Sequence, residues 1–79
     1  MEQGERQMKM SYKRLWKLLI DKDMSKTALR QAAGISSSSM AKLTKGENVT
    51  TSVLLKICNT LHCKLEDIAE VIKEENADG

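Results

Sequence analysis

Two glycines, Gly34 and Gly46, punctuate a run of short amphipathic segments, and they constrain the fold more than any other feature of the chain. A helix ends at least cost on a residue that accepts a positive φ, so each glycine predicts a helix stop. Before Gly34, Ser25 is a good N-cap, and Ala28, Leu29, Ala32 and Ala33 form an inward face. Ile35 then folds back as the hydrophobic contact of the stop. Between the glycines, Ser36 caps a second helix with few apolar residues: Met40, Leu43 and the small Ala41. Leu29, Ala33, Ile35, Met40 and Leu43 are expected to pack this pair of helices across a tight turn.

The rest of the chain repeats the helical period. Tyr12, Leu15, Trp16, Leu19 and Ile20 fall on one stripe, with Ser11 as N-cap and a stop near Asp21–Asp23. Thr50 caps a fourth helix carrying Leu54, Ile57, Cys58 and Leu61, and after a break at His62–Lys64 the stripe returns in Leu65, Ile68, Ala69 and Ile72. Pro and Phe are absent, only four residues are Gly, and 41% of the 79 residues are hydrophobic. That composition favours helices joined by short turns over a turn-rich β sandwich. A chain of this length buries roughly 60% of its unfolded surface, enough for one modest core. The expectation is an all-α, compact five-helix domain over residues 11–72. Residues 1–10 read as a flexible N-terminal arm and residues 73–79 as a disordered acidic tail.

The inventory of side chains excludes several classes of function. Cys58, Cys63 and a single histidine, His62, do not make the spaced pairs of a zinc site. Both cysteines flank apolar runs and read as buried, reduced thiols rather than a disulfide framework. Adjacent His62 and Cys63 cannot converge as a nucleophile and base, and no glycine-rich phosphate loop is present. No enzyme activity, metal, cofactor or small-molecule ligand is expected. No apolar stretch approaches the ~20 residues of a membrane span, and the polar first ten residues are no signal peptide, so the expected compartment is the cytoplasm.

Charge is uneven. Residues 1–60 hold eleven Lys/Arg against five Asp/Glu, a net of +6, and residues 61–79 hold two against six, a net of −4. A basic body suits a polyanion; by itself it is equally a set of solvated faces.

Residues 12–72 resemble the phage-repressor and Cro-like helix-turn-helix family, also called XRE-type or lambda-repressor-like. The resemblance rests on Ser25–Leu29, Ala33-Gly34-Ile35-Ser36, Met40–Gly46, Leu54–Leu61 and Leu65–Ile68. It departs from the family at Arg30, where many members have Ala, and at His62, where Gly often ends the fourth helix. It also departs at the serine run Ser36–Ser39, where many members place Gln. The resemblance implies a sequence-specific DNA-binding transcriptional regulator, most simply a repressor. Ser37, Ser38, Ala41 and Lys42 would then meet bases in the major groove, and Lys26, Thr27, Ser36, Lys45 and Asn48 would meet phosphates. The alternative is a protein-interaction module of the same fold, such as an antitoxin. Relatives of this kind pair on two half-sites. Leu55 and Val71, beside the apolar stripes rather than on them, are the expected contacts of a homodimer.

Overall fold

A computed structural model describes residues 8–73 of the chain. In order, the elements are β1 (Met8–Ser11), α1 (Lys13–Asp21), α2 (Lys26–Ala33), α3 (Ser37–Lys45), α4 (Thr51–Leu61), a 3-10 turn (Leu65–Asp67) and β2 (Glu70–Lys73). Three of the predicted caps form. Ser25 Oγ accepts from the Ala28 N–H at 3.0 Å, Ser36 Oγ from Ser39 N–H at 3.1 Å, and Thr50 Oγ1 from Val53 N–H at 3.3 Å. Ser11 is not a cap. It is buried at the end of β1, and Tyr12 holds the N-cap position of α1 without a side-chain bond.

All four α-helices end on one device. An N–H reaches back five residues to a carbonyl, and the residue just before it has a positive φ. The pairs are Met24 to Leu19 across Asp23, Ile35 to Arg30 across Gly34, Glu47 to Lys42 across Gly46, and Cys63 to Cys58 across His62. Their N···O distances are 2.9, 3.2, 2.8 and 3.1 Å. These bonds satisfy carbonyls that the last turn would leave without partners. Two of the four left-handed positions are not glycine: Asp23 at φ 57° and His62 at φ 55°.

The expected fifth helix does not form. The Asp67 carboxylate accepts from the Lys64 N–H at 2.9 Å and closes a 3-10 turn instead. Ile68 and Ala69 are buried, and the chain then extends into β2. Met8–Met10, expected within a flexible arm, form β1 with Ser11 and pair antiparallel with β2: Met8 with Lys73, Lys9 with Ile72, Met10 with Val71, Ser11 with Glu70. Among the described residues the fold is therefore four α-helices and a two-stranded sheet rather than all-α with five helices. Val71 and Ile72 are β-branched and suit a pleated strand. Arg14 locks this end of the fold to α1, with Nη1 donating to the Glu66 carbonyl at 2.9 Å and Nη2 3.1 Å from Glu70 Oε1. Residues 1–7 of the expected arm and 74–79 of the expected tail lie outside the described residues.

One core joins the elements: Tyr12, Leu15, Leu19, Leu29, Ile35, Met40, Leu43, Leu54, Ile57, Leu61, Ile68 and Ala69. Four residues expected inside are outside. Ile20 is 76% exposed and Leu65 51%, and Ala28 and Ala32 face water. Trp16 and both cysteines are half-buried at the edge of the core rather than within it. Among the described residues, no helix is long and apolar enough to cross a membrane.

Tyr12 does more than fill the core. Its hydroxyl donates to the Glu47 carbonyl at 2.9 Å, across 35 residues of sequence. Burial pushes its phenol above the ordinary value, and a hydrogen bond from the Val49 backbone lowers it in part. The same oxygen thus ties α1 to the loop between α3 and α4.

Two outcomes are expected in denaturant unfolding. Tyr12→Phe should cost about 1 kcal/mol, since it removes the bond to Glu47 and leaves that carbonyl without its donor; an unshifted midpoint would show that the loop is held by other means. His62→Gly should stabilise by about 0.5–1 kcal/mol, because glycine relieves the left-handed strain at some cost in unfolded-state entropy.

Candidate nucleic-acid interface

The helix-turn-helix is α2, the three residues Gly34–Ser36, and α3. Leu29 and Ile35 are buried on one side of the turn and Met40 and Leu43 on the other, which fixes the two helices against each other. With 3.6 residues per turn, anchoring α3 by Met40 and Leu43 sends Ser38, Ala41, Lys42 and Lys45 to the opposite side and leaves Ser37 on the adjoining flank. All five are exposed. The four expected base contacts thus share one free helix face. Thr44, also exposed, flanks it one turn beyond Ala41; the i, i+3 spacing from Ala41 was the available signal, and the sequence reading passed over it.

The serine run has an internal order. Ser36 Oγ accepts from the Ser39 N–H and gives its only proton to Ser39 Oγ at 3.1 Å. Its 3.1 Å contact with Ser38 Oγ then needs Ser38 as the donor. Ser38 is left with lone pairs to offer, and Ser37 with a rotating hydroxyl.

The expected phosphate contacts fall in two groups. Lys26 and Thr27 open α2, where backbone N–H groups face outward and favour an anion. The Lys26 ammonium lies over the half-buried Trp16 ring, 4.3 Å from its centroid, a cation–π contact that fixes the side chain beside that helix start. Lys45 and Asn48 are exposed at and after the end of α3, and Ser36 is exposed at its start. Lys45 also lines a groove of about 370 Å³ with Lys9 of β1 and Lys13 of α1. The sequence reading missed Lys9 here because it gave residues 1–10 no structure.

The expected dimer residues are both on the surface: Leu55 is 63% exposed and Val71 58%. Val71 stands opposite Met10, on the sheet face that also carries Met8, 57% exposed. This face, which also carries Lys73 opposite Met8, had no counterpart in the sequence reading.

No protein with a curated description matches the chain. The crystal structure of the transcriptional regulator VanUg, Form II, is similar, with 50% identity and a TM-score of 0.85 over 94% of this chain and 99% of that one. A family model for the Cro/C1-type helix-turn-helix DNA-binding domain matches residues 14–74. That span holds both helices of the motif, both glycine stops and the α3 face, and the chain belongs to the Cro/C1-type helix-turn-helix family.

Proposed function

We propose that the chain is a sequence-specific repressor that reads the major groove with α3 and blocks a promoter by occupying it. The observation that carries this reading is the free face of α3: Ser37, Ser38, Ala41 and Lys42 are exposed together, while Met40 and Leu43 hold the helix down from behind. An exposed polar helix backed by an apolar anchor fits a groove ~12 Å wide. Each position has a distinct capacity. Lys42 donates to guanine O6 or N7, Ala41 meets a thymine methyl, and Ser38, as an acceptor, suits the amino groups of cytosine or adenine. Lys26, Thr27, Ser36, Lys45 and Asn48 meet phosphates and set register. A protein-binding module of the same fold would leave this polar face without a role.

A homodimer through exposed Leu55 and Val71 accords with this reading. Two copies related by a two-fold axis would place their α3 helices on half-sites one DNA turn apart, ~34 Å.

Mobility shifts with the DNA flanking the chain's own gene test the first proposal. Affinity should fall steeply with salt, and Lys45→Ala should weaken all sequences alike while reducing the log–log salt slope by about 1. Lys42→Ala should instead lower discrimination at one base pair by about 1–3 kcal/mol; an unchanged ratio of operator to random affinity would remove Lys42 from the base readers. For the dimer, sedimentation at micromolar concentration should show self-association that Leu55→Lys or Val71→Lys abolishes. A monomer bound one-to-one on a single half-site would overturn it.

A further inference from the structure

We propose that Cys58 and Cys63 are a redox-active dithiol, held side by side by the turn that ends α4 and closed by a hydroperoxide into an intramolecular disulfide. The argument begins with the backbone. Cys63 N–H donates to the Cys58 carbonyl at 3.1 Å, across left-handed His62. Standard bond lengths then cap the separation of the two Cα atoms at about 7 Å, at the edge of the range that a disulfide spans. In a helix stop of this type, the side chains of the two bonded residues turn toward each other. At the end of α1 the same positions are Leu19 and Met24, which line one groove. At the end of α4 they are two thiols.

Both cysteines are free and half-buried, so a peroxide can reach them while the core stays closed. Cys63 is held in its thiol form: burial first, then Cys58 and Asp67, push it up to about 11, with Lys22 acting against them. No third metal-ligating side chain joins the pair among the described residues, which leaves thiol chemistry rather than a closed metal site.

The roles follow. The thiolate of Cys58 attacks one peroxide oxygen and breaks the O–O bond, forming a sulfenic acid and, with one proton, water. Cys63 sulfur then attacks the Cys58 sulfur as its proton passes to the departing hydroxide, which leaves as the second water. Two thiols are oxidised by two electrons and hydrogen peroxide is reduced to two waters. Cys63 is thus the resolving thiol, and its presence stops Cys58 short of irreversible oxidation.

Trypsin cleaves after Lys56 and Lys64, so both cysteines fall in one peptide, residues 57–64. After treatment of the whole protein with equimolar hydrogen peroxide, that peptide should appear two hydrogens lighter. It should be closed to maleimide and restored by dithiothreitol. Cys63→Ser should accumulate a dimedone-reactive sulfenic acid at Cys58, and Cys58→Ser should consume peroxide at least about tenfold more slowly. The wild-type peptide map stands by itself if either variant unfolds. A peptide that gains oxygens, or one linked only to a second chain, overturns the proposal.

Discussion

Each helix of this domain is ended by the same backbone ring, and the arrangement of the whole molecule depends on it. A helix with its last carbonyls unanswered would fray, and a helix that continued would never bring α2 across α3. The ring answers a carbonyl and reverses the chain in one step, provided one residue accepts a left-handed conformation. Where the turn also serves the helix-turn-helix, at Gly34 and Gly46, that residue is glycine. Where it serves the scaffold, at Asp23 and His62, a side chain bears the strain. The residue after the left-handed position is then delivered onto the helix it has left. At Ile35 this seals the helix-turn-helix with a buried side chain.

Helix α3 is held by little. Only Met40 and Leu43 of α3 are buried. Its position is enforced from both ends instead, by the Ser36 cap and the Gly34 ring before it and by the Gly46 ring after it. The loop that follows is fixed from a distance by the Tyr12 hydroxyl. This economy leaves most of the surface of α3 free for a partner.

Local signals were legible in the sequence and distant ones were not. Ser25, Ser36 and Thr50, with the glycines, located three helix starts and two stops to the residue, because a cap is a contact between near neighbours. The exposed residues of α3 came from the family resemblance, and the burial of Met40 and Leu43 is what leaves them on the surface. The end of the chain was misread because Leu65, Ile68, Ala69 and Ile72 do satisfy a helical period. What decides against a helix there is the Asp67 bond to Lys64 together with a partner strand some sixty residues away, and no short window contains both. Missing β1 concealed in turn the groove between Lys9, Lys13 and Lys45 and the sheet face of Met8, Met10 and Val71. Ile20 erred in the opposite direction: a fifth apolar residue on a stripe does not enter the core when Tyr12, Leu15 and Leu19 already fill the contact.

The pairing of β1 with β2 has a consequence for how the domain connects to anything beyond it. Met8 and Lys73 are partners in register, so the first and last described residues leave from the same edge of the same two-stranded ribbon. In topological terms the fold is nearly a closed circle. A hairpin turn between those two positions would join the ends without displacing any element. New ends opened in an exposed connection elsewhere would give a permuted chain of the same architecture.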